Sequence, residues 1–171
     1  MFDLFAYCEY LINHLAGVTY KHLVKAFGIE DLGSMSQLAS QVSGTCLIAI
    51  DGCDSDFVTP DHSSIFEKPS YSIAVIKNVP MGNEVKKWEA ISSCKAILKQ
   101  IMAKMLLDRR TASMLFLKDL DMGSFTINGL GPVADHFYGA IMSFTIDAEP
   151  INYQIDESYW IEDDNTSEQN G

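Results

Sequence analysis

The chain has 171 residues, of which 47% are hydrophobic. This length and composition suit one globular domain with a buried core, and the chain is too short for a second full domain. Its formal net charge of −11 argues against general nucleic-acid binding, because that needs concentrated lysine and arginine to displace counterions from phosphates. Charged or polar residues interrupt every apolar run before the ~18 residues that a membrane-spanning helix needs. We therefore expect no specific nucleic-acid binding and no membrane insertion.

The first part of the chain, residues 1–44, is predicted to be helical. Phe2–Ala16 carries apolar residues three and four positions apart, and the helix is expected to stop at Gly17 in the left-handed conformation. Tyr20–Phe27 and Ser34–Val42 are predicted as two shorter helices, each followed closely by a glycine.

The N-terminus and the cysteines both favour a reducing compartment. The opening residues lack a basic leader and carry the acids Asp3 and Glu9, so we expect no secretory signal and a cytoplasmic location. The four cysteines contain no Cys-x-x-Cys pair, and most stand in apolar surroundings: Cys8, Cys46, Cys53 and Cys94. Reduced thiols that pack as small hydrophobic groups are the expectation.

Two strands are predicted on either side of a long connection. Cys46–Ile50 is a short apolar run that indicates a buried strand, and Tyr71–Val79 is a strand ended by Pro80. We expect them to pair across Asp51–Ser70, which is interpreted as an irregular loop because it contains Gly52 and two prolines.

The same loop contains the weak metal candidates Asp51, Asp54 and Asp56, whose carboxylates could hold a divalent ion. The calcium-loop pattern, however, requires a further Asp or Asn, a glycine and a downstream bidentate glutamate, which are missing. Acidic residues in exposed turns are the simpler interpretation, and we predict no cofactor.

One long amphipathic helix, Asn83–Arg110, is the clearest pattern in the chain. Asn83 can accept hydrogen bonds from the first free amides, and Arg109 and Arg110 complement the negative C-terminal end. The predicted core face repeats at three- and four-residue steps: Trp88, Ile91, Cys94, Leu98, Ile101, Met102 and Met105.

Further strands are predicted after this helix, at Met114–Leu117, at Phe125–Asn128 and at Tyr138–Ile146, with a turn at Gly129–Pro132. The fold class is therefore α+β: N-terminal helices, then an antiparallel or mixed sheet of about four strands packed on one long helix, in the order α-β-β-α-β-β. Residues 1–150 form a single domain in this prediction. Residues 151–171 form an acidic extension that is partly disordered or makes an interface.

No catalytic motif is present. The four histidines are dispersed, no Gly-x-Ser-x-Gly elbow surrounds a serine, and no cysteine stands in a recognised nucleophile motif. We predict that the protein is not an enzyme.

The distribution of charge indicates where subunits could meet. Acidic residues dominate the end of the chain, whereas the long helix is locally basic. The candidate interface residues are on that helix, Lys86, Lys95, Lys99 and Lys104, and in the C-terminal extension, Tyr153, Tyr159, Trp160, Asp163 and Asp164. The alternatives are that the charges are simply solvated and that Tyr159 and Trp160 cap their own domain.

The succession of Cys46–Ile50, Tyr71–Val79, Asn83–Arg110 and the hairpin Phe125–Ile146 resembles phage tail-terminator and tail-completion (head–tail joining) proteins, in topology and pattern. The helical part before Gly44 and the acidic extension depart from a minimal member. The resemblance implies a structural virion protein, assembled in the host cytoplasm, that forms a homo-oligomeric ring, commonly of six subunits. The ring would touch portal or connector proteins and the tail tube.

Two alternatives remain. One is a small α/β module without catalytic activity that binds a ligand or a protein in a pocket between the sheet and the Asp51–Ser70 loop. The other is an enzyme of unrecognised class.

Deletion of residues 153–171 is expected to weaken self-assembly more than folding, because the extension is predicted to contact a neighbour rather than the core. Sedimentation velocity measures the first effect and thermal unfolding the second. Equal losses of both would mean that the extension belongs to the core.

Overall fold

A long helix packed on a mixed sheet forms the framework of the protein. A computed structural model describes residues 2–34, 42, 44–61, 64–111, 117 and 119–147. In this part of the chain the elements are, in order, α1 Leu4–His14, β1 Val24–Ala26, α2 Ile29–Ser34, β2 Thr45–Ile50, β3 Ser55–Asp61, β4 Ser64–Asn78, α3 Glu84–Thr111, β5 Thr126–Val133 and β6 Phe137–Thr145. The α+β class is confirmed, but the described sheet has six strands instead of about four.

The strand order is β1-β2-β4-β6-β5, with β3 paired to the first half of β4. β1 runs parallel to β2, whereas every other pair is antiparallel. The predicted pairing of the Cys46 and Tyr71 strands is confirmed, since Cys46 lies opposite Ile76 and Ile50 opposite Ser72. The second half of β4 is therefore the centre of the sheet.

The predicted long helix is confirmed as α3. The side chain of Asn83 accepts a hydrogen bond from the Lys86 amide at 3.0 Å, which satisfies one of the free N–H groups at the helix start. The buried apolar face consists of Ala90, Cys94, Leu98, Ile101 and Met105. This face packs mainly on β6 and β4.

The N-terminal part is only partly helical. α1 begins after Asp3, whose carboxylate accepts from the Ala6 amide, and it ends at His14 with Leu15 extended, so a left-handed glycine does not end it. The predicted helix Tyr20–Phe27 is wrong, because Val24–Ala26 is a strand.

Residues 24–26 form a strand because of a contact with a distant part of the chain. The buried Val24 and Ala26 alternate with the exposed Lys25, and parallel pairing with β2 satisfies their backbone groups. Most of the predicted helix Ser34–Val42 lies outside the described residues.

The predicted loop Asp51–Ser70 is also wrong. It contains all of β3 and the first residues of β4, which pair with one another from Ser55 opposite Pro69 to Asp61 opposite Ser64. We call this two-stranded extension, residues 55–61 and 64–69, the arm. Alternation of aromatic or β-branched residues with polar ones supports strands here despite two prolines.

The last hairpin turns later than predicted. Gly129–Pro132 lies inside β5, and the turn is Ala134–His136, where Ala134 and Asp135 have φ angles of 44° and 67°. On β6, Gly139 lies so close to the central strand that an added β-carbon would be 1.9 Å from the carbonyl oxygen of Val75. Most of the predicted strand Met114–Leu117 is outside the described part.

Buried side chains lie on both faces of the sheet. Under α1 and α3 they include Tyr7, Leu47, Ile73, Val75, Leu98, Met142 and Phe144. On the opposite face they include Leu32 of α2 with Ile48, Ala74, Ile76, Phe137 and Ile141. None of the described helices is long and apolar enough to cross a bilayer.

Leu98→Ala is expected to lower the free energy of unfolding by about 2 to 5 kcal/mol, because Leu98 is fully buried between α3 and the sheet and its loss leaves a cavity. Leu107→Ala is the matched control on the same helix. Since Leu107 is 54% exposed, that change is expected to stay within about 0.5 kcal/mol. Urea unfolding of both variants measures this, and equal effects would contradict the described packing of α3.

Candidate functional site

Large apolar side chains that remain exposed form two groups at opposite ends of the sheet. Met81, Val85 and Trp88 lie where α3 begins. The other exposed ones among the described residues are Phe27, Ile29, Phe57, Leu107 and Met122. These belong to the far end, where β1 and β2 finish and where the arm and the C-terminal end of α3 lie.

The first group stands at the start of α3. Val85 and Trp88 are three residues apart, which places them on one side of the helix, and Met81 lies in the turn that precedes the helix. We call these three residues the α3 patch. Their exposed fractions are 81%, 68% and 70%, so they contribute little to their own core.

The prediction that Trp88 belongs to the core face is wrong. Ala90 lies on the buried side, and two residues correspond to about 200° of rotation around the helix, so Trp88 points away from the sheet. The small side chain of Ala90 lets the start of α3 approach the sheet closely, where tryptophan could not fit. The patch residues Met81 and Val85 were missed, although their spacing from Trp88 was a usable signal.

Several lysines lie on α3, both beside the α3 patch and further along the helix. Within the described residues Lys86, Lys95 and Lys99 have no acidic group within 4 Å. They can therefore interact with acidic groups of another molecule. Lys87 differs, because its ammonium pairs with Glu84 and lies over the Tyr138 ring.

Lys104 is engaged within its own chain, unlike the other lysine candidates. Its ammonium pairs with the carboxylate of Asp108, which is almost fully buried, and it lies 5.4 Å from the centre of the Tyr10 ring. The Tyr7 hydroxyl donates to the same carboxylate at 3.4 Å. Burial first, and the Asp108 charge second, raise the pKa of Tyr7. This cluster links α1 to α3, which makes Lys104 a poor interface candidate.

At the far end of the sheet, the arm presents an aromatic residue among acids. Phe57 is 63% exposed, and Asp54 and Asp56 beside it are exposed too. On the adjacent strand Glu67, opposite Phe57, accepts a hydrogen bond from the Ser55 hydroxyl at 2.6 Å. The acidic residues near Phe57 thus have a charge opposite to that of the lysines beside the α3 patch.

A cation at the base of the arm is already neutralised. The Lys68 ammonium lies 2.8 Å from a carboxylate oxygen of Asp147 and 3.4 Å from one of Asp121. The hydrogen bond to Asp147 is the main reason that the pKa of Lys68 is raised. The Gly123 amide and, after it, Lys68 lower the pKa of Asp121. These contacts hold the arm to Asp121, before β5, and to Asp147, after β6.

Two of the three weak metal candidates, Asp51 and Asp54, make hydrogen bonds that shape the base of the arm. The Asp51 carboxylate accepts from the Cys53 amide at 3.0 Å, a side-chain-stabilised turn in which Cys53 has a φ of 55°. The Asp54 carbonyl accepts from the Ser70 amide at 2.8 Å, at the base of the arm. In the described part of the chain, no three His, Cys, Asp or Glu side chains are grouped to hold a metal ion.

Three cysteines are buried, as predicted, and pack as small apolar groups. Burial raises the pKa of Cys46 to about 12 and that of Cys94 to about 11, so their thiols stay protonated at neutral pH. Cys8 is buried too, and its pKa is raised for the same reason. Cys53 is exposed.

One small pocket lies beside α1. Its volume is about 280 Å³, and it is lined by α1 and the segment that follows: Glu9, Ile12, Asn13, Lys21, His22 and Leu23. The Lys21 ammonium donates to the carbonyl of Ile12 at 2.7 Å, so the one cation in the lining is used to close the end of α1.

The remaining interface candidates, Tyr153, Tyr159, Trp160, Asp163 and Asp164, lie outside the described residues.

Comparison of the sequence with models of known protein families and with curated proteins gave no match.

The Lys68 contacts predict a pH dependence of stability. The pKa of Asp121 is lowered by folding, so its contribution is present above the ordinary value of 3.8 and is lost as the pH falls through the folded-state pKa. The pKa of Lys68 is raised, so its contribution is lost only above 10.5. Lys68→Met is thus expected to destabilise the protein at neutral pH, and the difference from wild type is expected to shrink in acid.

The control is Lys99→Met, which removes the same charge from an exposed site without a described acidic partner. Urea unfolding at neutral pH and at a pH below 3.8 measures both variants. A difference that does not change with pH for Lys68→Met, or that changes equally for both variants, would contradict the role of these ion pairs.

Proposed function

We propose that this chain is a structural virion protein of a tailed phage that forms a homo-oligomeric ring at the head–tail joint, in a tail-terminator or tail-completion role. Its partners are copies of itself, six in the ring that the resemblance implies, together with portal or connector proteins and tail-tube proteins. In this proposal the protein has no catalytic activity and needs no cofactor, and it assembles in the host cytoplasm.

The observation that carries the proposal is the exposed α3 patch. A cluster of Met81, Val85 and Trp88 on the surface costs solvation free energy unless another molecule covers it. Tryptophan in particular is enriched among the residues that dominate binding energy at protein interfaces. A second exposed apolar group at the far end of the sheet fits a head-to-tail contact, in which two different surfaces meet and a ring can close.

The order of elements also supports the proposal. From Thr45 onward the chain forms a strand, a further strand, the long helix α3 and a closing hairpin, as in the phage proteins that the sequence resembles. The arm and the parallel strand β1 are additions to that pattern.

The alternative is a small α/β module that binds a ligand. It required a pocket beneath a loop at residues 51–70, but that segment forms the arm. What favours the alternative is the 280 Å³ pocket beside α1, where Glu9 and His22 provide polar groups. A ligand there would be small and polar, because the pocket lies near the lower end of the usual size range of about 300 to 1,000 Å³.

Trp88→Ala is expected to weaken self-association by about tenfold or more, because an exposed tryptophan at an interface centre commonly contributes more than 1.4 kcal/mol. Sedimentation velocity over a wide concentration range, alone and with tail and connector components, measures the effect. Thermal unfolding is expected to be nearly unchanged.

The matched control is Gln100→Ala, an exposed change about three turns further along α3. It is expected to leave association unchanged. A wild-type protein that stays monomeric at every concentration, both alone and beside those components, would contradict the proposed ring.

A further inference from the structure

We propose that the arm of one copy binds the α3 patch of a second copy, with Phe57 packed against Trp88 and Val85. The inference rests on the proposed function and names the contact through which the ring assembles. Sequence interpretation had assigned the complementary acidic surface to the C-terminal extension. The arm is a second surface with acidic and aromatic residues. It could not be predicted as a surface, because the composition of residues 51–70 indicated a loop.

The positions of the two surfaces suit contact between copies. β4 runs from the arm, through the centre of the sheet, to Asn78, and the α3 patch begins three residues later at Met81. The arm and the patch therefore lie at the two ends of the same long strand and cannot meet within one copy. Two different surfaces at opposite ends give a head-to-tail contact, which closes into a ring when the rotation between copies permits.

The shape of the arm suits insertion. Pairing of β4 with β6 begins at Ser70, so the six residues 64–69 extend about 20 Å further, beside β3. Among the described strands β3 pairs only with β4, which leaves its outer edge without a described partner. A second molecule that covers this edge would remove the unpaired backbone groups from solvent.

The charges are complementary. Around Phe57 the arm carries Asp56 and Glu67, with Asp54 immediately before it, while its cation Lys68 is paired with Asp121 and Asp147. Beside the α3 patch, Lys86 and Lys95 have no acidic group within 4 Å among the described residues, and the nearby Glu84 is paired with Lys87. Glu89 is the acid on this part of α3 that opposes the attraction. The net attraction would orient the copies before contact and disfavour arm-to-arm pairing.

The test is site-specific photo-crosslinking in the full-length chain. Benzoylphenylalanine replaces Phe57, and a mixture of isotope-labelled and unlabelled protein is irradiated, so that mass spectrometry separates cross-links between copies from those within one copy. The same probe at Asn128, an exposed residue on the edge strand β5, is the control. We expect cross-links between copies from position 57 to the peptide containing Met81, Val85 and Trp88, and none to that peptide from position 128.

The outcomes separate this inference from the proposed function. An oligomer whose cross-links from position 57 lead elsewhere, for example to residues 148–171 or to a second arm, would overturn the inference and leave the ring intact. An oligomer without any cross-link from position 57 would do the same. A protein that never associates, alone or with tail and connector components, would overturn both.

Charge reversal gives an independent measurement. Asp54→Lys with Asp56→Lys, or Lys86→Glu with Lys95→Glu, is expected to weaken association by about tenfold, because like charges would then face each other. Combining all four changes in one chain is expected to restore most of that loss. Additive losses would show that the two surfaces do not meet, and circular dichroism checks that each variant is folded.

Discussion

The close packing of α3 on β4 and β6 is the constraint on which the rest of the molecule depends. Ala90, Cys94 and Leu98 meet a sheet surface that contains Val75 and Ala140, all of them buried. Close packing there needs small groups at several points: Gly139 leaves room for the backbone of β4, and Ala90 leaves room for the start of α3. Small and medium-sized residues occupy this face of α3. The largest side chain of the helix, Trp88, lies on the other side and is exposed.

Two polar arrangements keep the additions to this framework in place. The buried Asp108 carboxylate joins Lys104 and the Tyr7 hydroxyl, which satisfies a charge that would be costly to bury alone and fixes α1 against the end of α3. Lys68 with Asp121 and Asp147 fixes the base of the arm in a similar way, but near the surface, where solvent weakens each ion pair. In the sequence these charged residues belong to helical or acidic stretches, and their spacing does not indicate the contacts they make.

The consequence is a molecule with two different ends. At one end are the α3 patch and lysines that have no acidic partner among the described residues, and at the other are the acidic arm and Phe57. Two different ends suit the head-to-tail contact that we propose, whereas the pocket beside α1 is small and its Lys21 is bonded to the Ile12 carbonyl. The overall charge of −11 conceals this arrangement, because the acids and bases are separated in space.

The sequence by itself determined the elements whose signals are local. The Asn83 cap and the helical repeat of apolar residues define α3, and the uninterrupted apolar run Cys46–Ile50 defines β2. The buried state of three cysteines also followed from their apolar neighbours. Only the tertiary structure decided the rest. Val24–Ala26 is a strand because β2 offers it a parallel partner, and residues 55–61 and 64–69 form the arm because they pair with each other. Trp88 belongs to the surface because Ala90, two residues later, lies on the side of α3 that faces the sheet. In each case a distant partner satisfies backbone groups or excludes a side chain, and neither effect is encoded in local periodicity.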